Sequence, residues 1–125
     1  MNGTAPHIVQ YQGSKRNLAP QILSYLPHRF NRLIEPFAGM AAVTIAVSKQ
    51  DRAGEYLLND LNEPLINLLK ESINNPRKLI EDYTKVWSGQ LAFEGGSVEH
   101  YYKVRDDFNR GDKCAANMLY LLARC

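Results

Sequence analysis

Three short stretches hold the residue types from which a binding site could be built: YQGSK at residues 11–15, EPFAGMAAV at residues 35–43 and LLND at residues 57–60. In the second stretch Gly39 follows a proline and a phenylalanine and stands just before an alanine- and valine-rich run. At the first strand-to-helix turn of an open α/β sheet, backbone and ligand come close together. Glycine permits that turn, and Ala38, Ala41 and Ala42 would keep the helix near the strand. Asp60 closes the third stretch, twenty-one residues after Gly39. A carboxylate at that place and spacing accepts hydrogen bonds from ribose hydroxyls, so turn and acid together describe an adenosine pocket. The pattern is not GxGxxG and no lysine follows as in a phosphate-binding P-loop, which argues against a pyrophosphate ligand such as a nicotinamide dinucleotide. By type and spacing alone, Gly39 also reads as a plain turn residue and Asp60 as a cap for the next helix. Both readings stand at this point.

These residues need elements to position them. Leu18, Ile22, Leu23 and Leu26 recur at helical spacing, with Ser14 as the expected N-cap and Pro27 as the stop. RLIEPF at 32–37 is short, apolar and bounded by a turn, so it reads as a buried strand, and AAVTIAVSK at 41–49 as a helix. EYLLND at 55–60 is the second strand. The following helix has Asn62 as N-cap, Pro64 in its first turn, and Leu65, Leu68, Leu69 and Ile73 on one face. Strand, helix, strand, helix predicts a parallel sheet covered by helices. A further helix from Asn75 and Pro76 should turn Leu79, Ile80, Tyr83 and Trp87 inward, and GQLAFEGGS at 89–97 reads as a loop. Ser97 then caps a helix with Tyr101, Val104 and Phe108 on one face, and Asp112 caps a last, apolar helix. That last helix is expected to lie open, as an exposed hydrophobic patch.

A chain of 125 residues with 45% hydrophobic composition can bury one core, so a single domain or a piece of one is expected. No apolar run approaches the roughly 20 residues that span a bilayer, and the polar start MNGTAPHIVQ has no signal core, which places the chain in the cytoplasm. Cys114 and Cys125 form no CxxC pair and have no histidine at ligand spacing, so free thiols and no metal are expected. The net charge of +2 is too small to argue for nucleic acid. Its distribution says more: Met1 to Ile34 holds no acid but carries Lys15, Arg16, Arg29 and Arg32. That end could face phosphates or be a solvated surface.

YQGSK, IEPFAGMAAV and LLNDLNEPLINLLK, in that order, resemble the N-terminal half of the Dam-like (D12 class) adenine-N6 DNA methyltransferases. That family has an aromatic-x-Gly-x-Lys segment, an EPFxGxGxV segment and an N/A-D-x-N segment. VEHYYKVRDDFN and the apolar run after it are similar to the family's approach to its target-recognition region. The resemblance implies a partial Rossmann-like fold and S-adenosyl-L-methionine as cofactor. Residues 1–90 would be the cofactor-binding α/β part, and 91–125 the truncated start of a helical recognition segment. Tyr11, Gly13 and Lys15 would line the cofactor site, with Lys15 meeting a carboxylate. Glu35, Pro36, Phe37 and Gly39 would shape its floor, Phe37 being buried and packed on the cofactor. Glu35 would bind the cofactor's ammonium or orient Lys15, and Asp60 would hold the ribose hydroxyls.

Two departures from the family pattern matter. Ala41 stands where the family has its second turn glycine, which would narrow the pocket by a methyl group. The family's catalytic motif, an acid or asparagine followed by Pro-Pro and an aromatic, is absent, because none of the six prolines is doubled. The resemblance therefore implies an N-terminal fragment or subunit of an enzyme acting on double-stranded DNA. Alone it would be inactive, and a C-terminal half or second subunit would complete it. The competing class is a non-catalytic, degenerate methyltransferase module that binds DNA or a partner protein.

Overall fold

The computed structural model describes residues 6–125, so the first half of the polar start lies outside the described residues. The chain divides into two compact units, residues 1–62 and 63–125.

The first unit runs α1 (Ala19–Ser24), β1 (Phe30–Glu35), α2 (Ala42–Lys49) and β2 (Ala53–Leu58). The strands pair in parallel with Phe30 beside Ala53, Leu33 beside Tyr56 and Glu35 beside Leu58. Its core is Ala19, Leu23, Val43, Ala46, Val47 and Ala53, with Phe30, Leu33 and Tyr56 packed against them. Helix α1 begins later than Ser14 because Pro20 sits in its first turn, and a proline without an N–H is tolerated only there. Ser14 instead accepts the Arg16 N–H at 3.3 Å.

Arg52 fastens the end of α1 to the start of β2. Its Nη1 donates to the Leu23 carbonyl at 3.0 Å, and its Nη2 to the carbonyls of Leu26 and Pro27, both at 2.8 Å. Helix C-termini leave carbonyls without intrahelical partners, and a guanidinium supplies several donors in one fixed plane. Nε is buried without a partner.

The strands are covered less completely than their composition predicts. Ile34 is 55% and Leu57 53% exposed, beside an Arg32–Glu55 ion pair of 2.8 Å. Alternate residues of a strand face opposite ways, so Leu33 and Tyr56 reach the core while their neighbours do not.

The second unit is helical: α3 (Glu63–Asn74), α4 (Pro76–Gly89), α5 (Gly96–Arg110) and α6 (Ala115–Leu122). Helix α6 packs against α3, α4 and α5. Ala115 to Met118, Tyr120 and Leu121 are all buried, so the last helix does not lie open as its apolar sequence suggested. On α4 the inward residues are Leu79, Tyr83 and Val86 at i, i+4 and i+7. Ile80 and Trp87 sit one residue further round and are 64% and 40% exposed. Two expected caps are displaced. Gly95 precedes α5 and leaves Ser97 inside it, while Cys114 precedes α6. Asp112 offers its backbone carbonyl to Asn117 Nδ2 at 3.2 Å.

Candidate functional site

Beyond the C-terminal ends of β1 and β2 the chain continues in pairs of hydrogen bonds. Asn59 N–H donates to the Glu35 carbonyl and Ala38 N–H to the Asn59 carbonyl, both at 2.9 Å. Asn59 Nδ2 adds a bond of 3.0 Å to the Pro36 carbonyl. These bonds hold the turn EPFAG against the segment Asn59–Asp60. Both belong to the region that the sequence marks as a ligand corner.

Asp60 is the centre of this arrangement. Its Oδ2 accepts the Gly39 N–H at 2.8 Å and its Oδ1 the Asn62 N–H at 2.9 Å. The N–H groups of Asn62, then Gly39, then Leu61 hold the carboxyl below its ordinary value, against an opposing contribution from burial. Asp60 is therefore an ionised, fixed acceptor at neutral pH. Oδ1 closes a local turn on Asn62, just before α3 begins, and the same carboxylate also reaches back to the first turn.

Gly39 has φ +51 and Ala41 φ +53, both left-handed. A Cβ built on Gly39 would lie 3.7 Å from Tyr11 Cε1, an ordinary contact, so backbone conformation rather than crowding calls for glycine. The Tyr11 ring thus lies over the turn. Ala41 is 2% exposed, so its methyl group is buried rather than projecting into an open pocket.

Glu35, half-buried at the end of β1, uses one oxygen twice. Its Oε2 accepts the Thr44 N–H at 3.0 Å and the Thr44 Oγ1–H at 2.5 Å. It thereby caps the first turn of α2, whose N-cap residue, Ala41, makes no side-chain bond. The expectation that Glu35 orients Lys15 is not met: Lys15 Nζ donates to the Gly13 carbonyl at 2.7 Å, within its own loop. Gly13 turns that loop with φ +78, and Ser14 N–H closes it on the Tyr11 carbonyl at 3.1 Å. Tyr11, Gly13 and Arg16 also line a cavity of about 310 Å³ with His7 and Asn17, which Lys15 does not line.

Phe37 is 91% exposed, which corrects the expectation of a buried ring. The Pro36–Phe37 step follows the last residue of β1, where the strand has ended and no core remains to receive the side chain. The structure thus joins Tyr11 to Gly39 and Gly39 to Asp60, and leaves Phe37 open to solvent. Of the residues shaping this corner, Thr44 carries no signal in the sequence, because its reach to Glu35 depends on how the turn folds.

Among the described residues no group of three or more His, Cys, Asp and Glu side chains could hold a metal ion. Nor is any helix among them long and apolar enough to cross a membrane. Cys114 and Cys125 are free and exposed.

Comparison with known proteins bears on most of the chain. The family model of the D12 class N6 adenine-specific DNA methyltransferases matches residues 11–125. The type II methyltransferase M1.LlaDCHI of Lactococcus lactis is 32% identical, across 90% of this chain and 39% of the relative. The type II methyltransferase M.MjaIII of Methanocaldococcus jannaschii is 30% identical, across 94% and 45%. A DNA adenine methylase of Haemophilus influenzae is 32% identical, across 81% and 33%. The chain thus spans less than half the length of these curated relatives.

Proposed function

The chain belongs to the D12 class of N6 adenine-specific DNA methyltransferases, and on that premise we propose that it binds S-adenosyl-L-methionine within an enzyme that methylates adenine in double-stranded DNA. The cofactor site is assigned to Tyr11, Gly13, Lys15, Glu35, Pro36, Phe37, Gly39 and Asp60. The observation that carries this reading is the Asp60 carboxylate, held ionised by the Gly39 and Asn62 N–H groups beyond the end of β2. An ionised carboxylate has about four acceptor positions, so the backbone N–H groups leave capacity for a ribose hydroxyl. Phe37, on the same turn and open to solvent, offers an aromatic face for the adenine. Such a ligand has no phosphates, and a glycine-rich anion nest is not required.

The bound cofactor supplies a methyl group carried on a sulfonium. The part of this chain is positioning: Asp60 fixes the sugar, Phe37 the base and Glu35 the ammonium of the amino-acid end. Residues 1–90 form this cofactor part, the opening of a Rossmann-like fold, and residues 91–125 lead toward target recognition. None of the residues present is assigned to catalysis, since the sequence holds no doubled proline. A C-terminal half or second subunit carrying that motif would complete an enzyme in which the target adenine is flipped from the duplex.

Titration calorimetry with S-adenosyl-L-methionine tests the reading. Phe37→Ala should weaken uptake about tenfold, the loss expected for one stacked base, while leaving the unfolding midpoint unchanged. Absent uptake by the unaltered chain, or equal uptake by the variant, would overturn it.

A further inference from the structure

Glu35 has two oxygens in different circumstances. Oε2 is occupied by both donors of Thr44. Oε1 has no hydrogen-bond partner among the described residues, and it is not among the buried unpartnered atoms, so it is open to solvent. A glutamate at the end of a strand has three side-chain torsions to fix. The backbone N–H of Thr44 would hold it loosely, as any residue of the first helical turn would. The hydroxyl adds a second donor on the same oxygen, and two donors converging on one atom determine which oxygen remains free. Among the described residues no arginine or lysine side chain forms an ion pair with Glu35: Lys15 binds Gly13 and Arg32 binds Glu55.

We infer that Thr44 is a positioning residue, which engages Oε2 of Glu35 so that Oε1 is set to receive a cationic amine donor of the ligand. This inference rests on the cofactor reading above and adds to it a residue outside the assigned site. Because Thr44 acts through Glu35 alone, its effect should be confined to ligands that carry the amine. That selectivity separates positioning from a general contribution to folding, which would alter the binding of every ligand of the site.

The test uses the full chain and two ligands, S-adenosyl-L-homocysteine, which carries the amino group, and 5′-methylthioadenosine, which lacks the amino-acid end. Thr44→Val keeps the shape and the backbone N–H but removes the hydroxyl. It should weaken S-adenosyl-L-homocysteine about tenfold, the scale of one hydrogen bond to a charged group, and leave 5′-methylthioadenosine unchanged. Thr44→Ser, which retains the hydroxyl, should restore the difference. In Glu35→Gln, the valine substitution should have no further effect. Equal weakening of both ligands, or of neither, would overturn the role of Thr44 while leaving the pocket standing. Failure of the unaltered chain to bind either ligand would refute the pocket and this inference with it.

Discussion

Replacing Asp60 by alanine removes the one carboxylate that ties the first turn to the segment after β2, where the Asn59 bonds remain. Two backbone N–H groups, of Gly39 and Asn62, lose acceptors at 2.8 and 2.9 Å. Hydrogen bonds to an ionised group contribute about 1.5–3 kcal/mol each, but the site is only half-buried and water can replace part of the loss, so about 1–3 kcal/mol in total is expected. With a urea slope of about 1.5 kcal/mol per molar, that is a midpoint lower by roughly 1–2 M. Asp60→Asn keeps one carbonyl acceptor and should lose about half as much. The pH dependence gives an independent check. The folded carboxyl titrates below its unfolded value of about 3.9, so its stabilisation is complete above that pH and disappears as acid protonates it. The alanine variant should therefore differ from the parent at pH 7 and converge on it toward pH 3. An unchanged urea midpoint at pH 7, or a difference that persists undiminished at pH 3, would refute the claim that this carboxylate holds the corner.

Three further perturbations address other parts of the chain. At Ala41, glycine relieves about 1–2 kcal/mol of left-handed strain but gives up a buried methyl group worth about 0.8 kcal/mol, so thermal unfolding should move little; valine, β-branched at φ +53 and buried, should destabilise by about 2–4 kcal/mol. Arg52→Met keeps the apolar stem and strips donors from the Leu23, Leu26 and Pro27 carbonyls, and urea titration should show a loss of about 2–3 kcal/mol; a neutral result would mean that the clamp carries no stability. His100 is buried between Phe93 and Tyr120, and burial first, then Lys103 and Arg124, lower its pKa. The unfolded chain therefore takes up a proton that the folded chain resists, stability should fall as pH drops below about 6.5, and His100→Phe should flatten the urea midpoint between pH 7.5 and 5.5.

The helices were legible in the sequence where a proline and an apolar stripe agreed. Pro76 begins α4 and Leu65, Leu68 and Leu69 line α3 as expected, because both signals act locally, while Ile73, expected on the same face, is exposed near the end of α3. Caps were less legible. Ser14, Ser97 and Asp112 each have a capping side chain, yet the helices begin elsewhere, since Pro20 limits α1 and the glycines at 95 and 96 open α5 two residues early. Burial of single residues was the least legible. Ile80 and Trp87 were assigned to a face by type, and a rotation of one residue about α4 exposes them. Phe37 was expected in a core for the same reason, although a residue just past a strand end has no layer beneath it. At this corner, spacing singled out Gly39 and Asp60, which the structure bonds to each other. The Thr44–Glu35 contact was not, because a bond between residues nine apart across a turn has no periodic signature.

Ala41 shows why a departure from a family pattern has to be judged by its backbone. Read as a side chain, alanine in place of the family's glycine narrows the pocket and should weaken the ligand. Its φ of +53 shows that the position demands a left-handed residue, and this is a sufficient physical reason for glycine there. Alanine adopts the same conformation at a cost of about 1–2 kcal/mol, and its methyl group, 2% exposed, is buried. The substitution therefore acts on the stability of the turn, where the buried methyl offsets much of the strain, and leaves the open surface around Phe37 and Asp60 unaltered. A turn that tolerates alanine at this point still needs its other anchors, the Gly39 and Asn62 N–H groups on Asp60 and the Thr44 donors on Glu35, to hold its shape. Those anchors, rather than the number of glycines, decide whether the corner can serve as a binding site.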